Sequence, residues 1–430
     1  MTAQVATLLA ILAAMSVSFF AELLPISFTA LMVPVALQAT GILKPAQAWA
    51  GFANTTIITW YGLFIIGGAF VKTTFTNKIK HFVNRNAQGS SVRVTLMVLI
   101  ACSVIGMMTS AGGTIALLSP LLLEICKDTG MDPKKLFKPT ADVCNWASVQ
   151  MFPIGGSIAY FMWFNSYLEQ TGSPLRYGLF DFTFIKFPMW LILVAYYLFT
   201  SRGQKLKSES VAEVAEVAEA PTPARYAPKE EKVIVTIFFL NVILMVVASM
   251  TKIIAPYLVS LFFAAVIMGK GYLTEKEAFQ SISWQTVFLV AGTLPLATAI
   301  NVSGTSTWMV GLVQQMFPSM TNPVVLATAF AVISMVVTQF MSNLAVWAVF
   351  GPIAASMAVS LGMDPRLVLA GVGVGSIICF ATPMAAPAPA YAYSAAGFKM
   401  KEYIKMGWFP CVLMTVVFVL WAPLVLNWLY

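Results

Sequence analysis

Long apolar segments dominate this chain and determine the solvent in which it folds. Only 10% of its 430 residues are charged, whereas 59% are Ala, Val, Ile, Leu, Met, Phe, Trp, Tyr or Cys. Soluble domains carry about 25% charged residues, which they need for a polar surface around the core. This composition cannot supply such a surface, so we predict an all-α membrane protein. Soluble enzymes, nucleic-acid-binding proteins and disulfide-stabilised secreted domains are excluded.

A membrane-spanning helix needs about 20 apolar residues to cross roughly 30 Å of hydrocarbon. About ten segments qualify, some of them short: 5–23, 27–41, 55–72, 139–165, 178–200, 233–250, 254–270, 284–302, 366–395 and 405–428. No basic residues precede the first segment, so we predict a retained span there and not a cleaved signal peptide.

Two further apolar stretches, 94–126 and 324–361, each consist of two limbs joined by a small polar tip without a charged loop. The limbs of the first have about 16 and 14 residues, or roughly 24 and 21 Å as helix, which is too short to cross. We therefore predict a re-entrant hairpin, which is tolerated at membrane depth when it is buried or lines a cavity. The limbs of the second have about 18 residues, so their length fits both a re-entrant hairpin and a full crossing.

Lysine and arginine are distributed unevenly between the two sides that these segments define. Twenty of them fall on one side and four on the other, while Lys186 falls inside a predicted span. Cytoplasmic loops carry such an excess, so we assign the rich side to the cytoplasm and both termini to the outside. The net charge of +8 thus indicates the topology of a multi-pass protein of the cytoplasmic (inner) membrane.

The two halves of the chain repeat each other at a shift of about 232 residues. The block GMDP occurs at 130–133 and again at 362–365, at the same distance from each hairpin tip. In such a block Gly closes one helix, Asp caps the next helix and Pro fills its first position. We predict a first repeat in 1–200, a cytoplasmic linker in 201–231 and a second repeat in 232–430. With five spans in each half, the second repeat enters the membrane inverted, and its hairpin is interpreted like the first.

Each half also contains a span that Gly or Pro interrupts, at 139–165 and at 366–395. Inverted repeats with helices broken at mid-depth are typical of secondary transporters. A proline frees a backbone carbonyl, and freed carbonyls at membrane depth can coordinate Na⁺. Simple helix kinks are the alternative interpretation.

Each hairpin tip begins a helix whose first backbone N–H groups are directed at the middle of the protein. Two such positive helix ends, pointing at each other from opposite faces, form a site for an anion. Neither tip carries Lys or Arg, so N–H dipoles, hydroxyls and amides must meet the charge of the anion. The available side chains are Thr109, Ser110, Thr114, Thr338, Gln339, Ser342 and Asn343. Alternatively, the hydroxyls only satisfy backbone groups at helix breaks.

Further motifs accompany the repeat: LPISFTAL at 24–31, the stretches GILKPAQAWAGF and GYLTEKEAFQSI, two tips ten residues before a proline, and ATP at 381–383. Together they resemble the divalent anion:sodium symporter family, which carries di- and tricarboxylates or sulfate. The resemblance covers nearly the whole chain except the linker. It implies a homodimer in which a transport domain moves past a scaffold as an elevator. It also implies a Ser-Asn-Thr motif at each tip that binds both Na⁺ and substrate.

These motifs fall on residues 110–112, where only Ser is kept, and on 342–344, where Ser and Asn are kept. A hydroxyl one helical turn before the tip is Thr338 in the second half, but Gly106 stands in its place in the first. The second tip therefore offers more side-chain oxygens to a sodium ion than the first tip does. One sodium site is better supported than two. The predicted substrate site is Ser110, Ala111, Gly112, Ser342, Asn343 and Thr382. The predicted cation ligands are Ser110, Gly155, Thr338, Asn343, Pro383 and Pro387.

We therefore predict a secondary active transporter of small anions, with a dicarboxylate as the first expectation, and no cofactor beyond bound Na⁺. Its expected partners are the anion, Na⁺ or an exchanged anion, the lipid bilayer and a second copy of the chain. Two alternatives remain: a sodium-independent anion exchanger, and the membrane subunit of a carrier fed by a binding protein. An enzyme is not expected, because carboxylates within the apolar segments, such as Asp142, are isolated.

Overall fold

A computed structural model gives the architecture of the chain. It describes residues 2–21, 23–74, 90–108, 110–154, 157–202, 225–251, 253–316 and 322–430, which form helices and no β-strand. Two of the residues singled out in the sequence, Thr109 and Gly155, lie outside these ranges, as does most of the predicted linker, at 203–224.

The helices of the first half are short or of medium length. They are α1 (Ala3–Phe20), α2 (Ile26–Ala39), α3 (Pro45–Ala48), α4 (Thr55–Val71), α5 (Ser91–Met108), α6 (Ala111–Thr129), α7 (Pro133–Ser148), α8 (Ser157–Gln170) and α9 (Asp181–Ser201), with a 3₁₀ turn at Ala50–Ala53.

The helices of the second half follow in a similar order. They are α10 (Pro228–Thr251), α11 (Pro256–Gly269), α12 (Glu275–Ser281), α13 (Trp284–Thr293), α14 (Pro295–Val302), α15 (Thr305–Met316), α16 (Pro323–Val337), α17 (Asn343–Ser360), α18 (Pro365–Ile377), α19 (Pro387–Ala395) and α20 (Met400–Leu429).

Six helical segments within the described residues are long and apolar enough to cross a membrane, and six shorter apolar helices accompany them. The prediction of an all-α membrane protein is confirmed. The limb lengths used to predict a re-entrant first hairpin need correction, because α5 has 18 residues and α6 has 19. Both limbs of the first hairpin are thus longer than the apolar pattern indicates, since the helices continue past Arg93 and Lys127. Their length no longer favours a re-entrant hairpin over a crossing, and re-entry stays a prediction.

The GMDP blocks form the predicted helix boundaries. Gly130 and Gly362 lie just past the ends of α6 and α17, with φ of +72° and +69°. Glycine adopts this left-handed conformation without the steric cost that a Cβ imposes. Asp132 and Asp364 then cap α7 and α18 by accepting a hydrogen bond from the backbone N–H two residues later, at 2.9 Å in both cases. The local role predicted for these blocks is confirmed.

The packing of the helices brings the two halves together. Helix α2 packs against α13, and α11 packs against α4, so each of these pairs joins one half to the other. Helices α5 and α6 pack against α7, as α16 and α17 pack against α18. The corresponding order of helices is what two repeats would produce, although their boundaries stay a prediction. Helix α19 of the second half packs against α6 and α7 of the first, which places the second interruption beside the first hairpin.

Lys138, one of the twenty basic residues that the sequence assigns to the cytoplasmic side, lies inside the protein. Lys138 belongs to α7 and is fully buried, with its Nζ bonded to Asp142 Oδ2 one helical turn later. The hydroxyl of Tyr197 on α9 donates to the same carboxylate oxygen. A buried lysine needs such a partner, because an unpaired charge in the interior is costly. Lys138 is therefore a core residue and carries no information about topology.

Candidate functional site

A cavity of about 690 Å³ lies where the two hairpin tips meet the second interrupted span. Ser110 to Gly113 line it at the start of α6, Ser342 to Leu344 at the start of α17, and Ala386 and Pro387 at the start of α19. Three helix N-termini therefore converge on one space. None of the described residues that line this cavity is charged.

The first tip contributes mainly backbone groups. Ser110 caps α6 by accepting a hydrogen bond from the Gly113 N–H at 3.2 Å. Ala111 and Gly112 bring no polar side chain, so the start of α6 offers backbone N–H groups. Gly112 is required by packing, because a Cβ at this position would lie 2.7 Å from Pro387 Cβ. The absence of a side chain thus allows the start of α6 to reach the start of α19.

The second tip is richer in polar side chains. Ser342 caps α17 through the Ala345 N–H at 3.2 Å. The Asn343 N–H donates to the carbonyl of Ala385 at 3.3 Å, and Asn343 Oδ1 accepts a hydrogen bond from Thr338 Oγ1 at 2.8 Å. Thr338 is fully buried behind the tip. Two side-chain oxygens of the predicted cation set therefore lie next to each other.

Gln339 joins the second tip to the interruption between α18 and α19. Its Nε2 donates to the carbonyl of Ile378 at 2.9 Å, and its Oε1 accepts from the Ala381 N–H at 3.1 Å. The hydroxyl of Thr382 donates to the carbonyl of Gln339. These bonds hold the tip and the interrupted span together as one unit. Neither Thr382 nor Pro383 is among the residues that line the cavity, so Thr382 positions the tip from behind.

The predicted site residues thus separate into groups. Those that line the cavity are Ser110, Ala111, Gly112, Ser342, Asn343 and Pro387. Thr338 lies behind Asn343, while Thr382 and Pro383 lie outside the wall. Gly155 falls outside the described residues. Their individual roles as ligands stay predictions.

The poor supply of ligands at the first tip has a packing cause. Gly106 occupies the position that corresponds to Thr338, and a Cβ there would lie 2.8 Å from Cys144 Sγ. Helices α5 and α7 therefore approach too closely at this point for a hydroxyl-bearing side chain. In the first half, the space that a ligand would take is used for helix packing.

An aromatic cluster that the sequence patterns do not single out forms part of the cavity wall. Trp60, Tyr160 and Trp347 all line the cavity, with edge-to-face contacts of 6.3 Å between Trp60 and Tyr160 and of 5.6 Å between Tyr160 and Trp347. Trp163 contacts both tryptophans from behind, at 6.1 and 5.5 Å. Trp347 follows Asn343 by one helical turn, which is the one signal that could have indicated it. The polar residues Asn145, Ser148 and Thr286 were also missed.

This arrangement suits the binding of a small anion. The volume falls within the range of about 300 to 1,000 Å³ that is usual for small-molecule sites. A helix N-terminus favours a nearby negative charge by roughly 0.3 to 1 kcal/mol, and by up to about 2 kcal/mol when partly buried. Several such ends directed at one cavity can therefore replace a lysine or arginine. Among the described residues of the wall, the polar groups include backbone amides, hydroxyls and side-chain amides, which can donate hydrogen bonds to an anion.

The sequence model of the citrate transporter family matches residues 9–373 of the chain. The chain belongs to the citrate transporter family. The family and the curated relatives are transporters. The prediction that this protein is not an enzyme is therefore confirmed. It is an integral membrane protein that crosses the bilayer several times.

Curated relatives match over almost the whole chain. An uncharacterized transporter of Haemophilus influenzae is 25% identical over 422 residues, which cover 93% of this chain and 87% of the relative. The sodium-dependent dicarboxylate transporter SdcS of Staphylococcus saprophyticus is 21% identical, with 93% of this chain and 82% of SdcS covered.

Two solved structures share the fold of this citrate transporter family member. MtrF of Neisseria gonorrhoeae, described as one of a class of antimetabolite efflux pumps, aligns with a TM-score of 0.63 over 90% of this chain and 83% of MtrF. The YdaH transporter of Alcanivorax borkumensis aligns with a TM-score of 0.60 over 92% and 88%. Both are 13% identical in sequence, so they bear on the fold alone.

Proposed function

We propose that this protein is a secondary active transporter of small carboxylate anions in the cytoplasmic membrane. The observation that carries the proposal is the convergence of the α6 and α17 N-termini on one cavity whose described lining residues are all uncharged. The family description names citrate, and the name of SdcS specifies sodium-dependent dicarboxylate transport, so di- and tricarboxylates are the first substrates to test.

In this proposal the anion binds between the two tips. Backbone N–H groups at the start of α6 and α17, the hydroxyls of Ser110 and Ser342 and the amide of Asn343 meet its carboxylates. The aromatic residues Trp60 and Trp347 enclose the rest of the ligand. Because the described residues of the wall include no lysine or arginine, the anion is released again without breaking a strong ion pair.

A cation site in the second half completes the proposal. Thr338 Oγ1 and Asn343 Oδ1 lie 2.8 Å apart, and the Asn343 N–H is bonded to the carbonyl of Ala385 in the neighbouring interruption. Hydroxyl, amide and carbonyl oxygens are the ligands that Na⁺ uses at such helix breaks. We assign one coupling sodium ion here, within a homodimer that works as an elevator. These features are those of the narrower divalent anion:sodium symporter family.

The proposal is tested with the purified chain in proteoliposomes, using radiolabelled citrate and succinate. An inward sodium gradient should drive uptake of at least one of the two, and uptake by the single chain excludes a need for a binding protein. If uptake instead requires unlabelled anion inside and ignores sodium, the protein is the exchanger that the poorly supplied first tip favours. Failure to transport either anion under both conditions, by folded protein, contradicts the proposal.

One variant addresses the site directly. Asn343→Ala should reduce uptake to background, because it removes the amide at the tip, while Ser342 still caps α17 and maintains the fold. The matched control is Asn322→Ala, which removes the cap of α16, where Asn322 Oδ1 accepts from the Val324 N–H at 2.8 Å. That loss costs about 1 kcal/mol of stability and should leave uptake intact. Wild-type uptake by Asn343→Ala refutes the assignment.

A further inference from the structure

Lys186 is a buried cation that the proposed transport site does not use. It lies on α9 with no exposed surface, and its Nζ donates to the carbonyls of Trp146, at 3.1 Å, and of Val149. The Trp146 ring lies 4.7 Å from the ammonium group, and the Trp146 Nε1–H donates to the Lys186 carbonyl at 3.2 Å. The side chain is thus fixed at the end of α7, where the interruption within the first interrupted span begins.

The partners of this ammonium group are unusual for a lysine. Lys138 on α7 is paired with Asp142, whereas Lys186 forms no ion pair with any carboxylate in the described part of the chain. Its charge is met by carbonyls at a helix C-terminus, which carries a partial negative charge, and by an aromatic ring. Backbone carbonyls at an interrupted membrane helix are also what a free sodium ion coordinates.

The second half places a neutral group at the corresponding position. At the shift of 232 residues, Trp146 corresponds to Ile378. The carbonyl of Ile378 accepts a hydrogen bond from the uncharged amide of Gln339, at 2.9 Å. In the first half the residue that corresponds to Gln339 is Met107, which cannot donate. Lys186 therefore brings both the missing donor and a positive charge to the first interruption.

The position of this charge relates it to the cavity. Val149, whose carbonyl Lys186 binds, lines the cavity, so the ammonium group lies directly behind the wall. At the first tip Gly106 and Ala111 offer no side-chain oxygen to a free cation. We propose that Lys186 is a built-in cation of the first half, which binds the carbonyls of the first interruption in place of a free sodium ion. This inference rests on the proposed function and adds that at most one sodium ion, in the second half, couples transport.

The test removes the ammonium group and offers a soluble one. Lys186→Ala leaves a space lined by the two carbonyls, and methylammonium should bind there and raise the thermal unfolding midpoint of the purified full-length variant by mass action. Saturating methylammonium should reverse roughly half or more of the decrease in the unfolding midpoint that the substitution causes. Lys186→Met should lose stability without this rescue, because its side chain fills the space. Choline serves as the ionic-strength control, and Lys401→Ala, at an exposed position, controls for loss of a lysine.

Two outcomes overturn the inference. The first is a Lys186→Ala protein that responds to methylammonium no more than the wild type does. The second needs no variant: equilibrium binding of radioactive sodium to the wild-type protein should show at most one ion per chain, and two ions per chain contradict a built-in cation. Neither measurement needs a transported anion. A negative result in them is therefore distinct from a failure of the proposed function, which would appear as a wild-type protein that transports no carboxylate.

Discussion

Thr338, the residue that follows α16, donates a hydrogen bond to Asn343 Oδ1 at 2.8 Å and so ties the end of α16 to the first residue of α17. Both side chains are buried. The bond orients the amide at the tip and places two oxygen atoms side by side. Under the proposed function, a sodium ion bound there contacts the same tip as the anion, which would give a direct physical route for coupling the two.

The role of Thr338 can be separated from that of the anion site. Thr338→Val keeps the size of the side chain but removes the hydroxyl, so the sodium concentration for half-maximal uptake should rise about tenfold, the effect of losing about 1.4 kcal/mol of binding energy. The matched control is Thr328→Val within α16, the helix that Thr338 follows, where the hydroxyl donates to the Val324 carbonyl at 2.7 Å. Uptake at several sodium concentrations distinguishes them. An unchanged sodium dependence in Thr338→Val removes Thr338 from the cation site.

Gly112 should be intolerant of any side chain. Gly112→Ala places a Cβ 2.7 Å from Pro387 Cβ, which forces the start of α6 away from α19. We expect a loss of about 1 to 3 kcal/mol of stability, as in other overpacked sites, together with reduced anion uptake. Thermal unfolding and proteoliposome uptake measure the two effects.

The control for this substitution is a glycine with free space around it. A Cβ at Gly67 in α4 would meet nothing within 4 Å. Gly67→Ala should therefore be neutral or slightly stabilising, because alanine is the better helix former by up to about 1 kcal/mol. If Gly112→Ala behaved like Gly67→Ala, the contact between the two helix starts would be unimportant.

The buried pair of Lys138 and Asp142 should be stable only as a pair. Asp142→Asn leaves the Lys138 ammonium buried without a counter-charge, and we expect a loss of about 3 to 5 kcal/mol. The double variant Lys138→Met/Asp142→Leu removes both charges and should recover most of that loss. Thermal unfolding of the three proteins in detergent provides the comparison. If the double variant is no more stable than Asp142→Asn, burial of the unpaired lysine is not the cause of the loss.

Glu277 should make the protein sensitive to acid. The Arg225 guanidinium, with the Thr274 N–H and Lys72, holds the pKa of this carboxyl well below its ordinary range. Its contribution to stability is fully present above the unfolded-state pKa, about 4.3. It is lost as the pH falls from there towards the folded-state pKa. Between about pH 5 and pH 3 the wild-type midpoint should therefore fall more steeply than that of Glu277→Gln.

The control for this pH dependence lies on the same short helix. Glu275 forms no ion pair with any residue in the described ranges. Glu275→Gln should therefore follow the wild-type pH profile, and only Glu277→Gln should flatten it. Equal slopes for the wild type and Glu277→Gln would show that the ion pairs to Lys72 and Arg225 do not stabilise the fold.

The sequence predicts the helical elements well because its signals are local. The length of an apolar segment indicates that a helix is present, and the GMDP blocks indicate where helices end and begin. A glycine with positive φ, an Asp cap and a proline in the first turn each act on their immediate neighbours. The apolar pattern underestimates the limbs of the first hairpin, because it ends at the charged residues Arg93 and Lys127. Both residues continue their helices.

The candidate site is less accessible from the sequence, because contacts between distant segments form it. The tips at Ser110 and Asn343 were predicted from helix polarity, and both line the cavity. The hydrogen bonds of Gln339 to the second interruption and the position of Trp60 in the cavity wall depend on how α4, α8 and α16 pack. No local sequence pattern encodes this packing. The burial of Lys138 is missed for the same reason, since Tyr197, which donates to the carboxylate of its partner Asp142, lies on another helix.

The central claim is that both tips contact one anion in one cavity. In proteoliposomes, Ser110→Cys and Ser342→Cys should react with a small water-soluble thiol reagent through the cavity, against a low background, because the five native cysteines are buried. Saturating concentrations of the anion transported in the uptake assay should slow labelling of both, and should leave the exposed control Thr40→Cys unchanged. Protection of both tip cysteines is the predicted result, and labelling of either one at an unchanged rate contradicts the account.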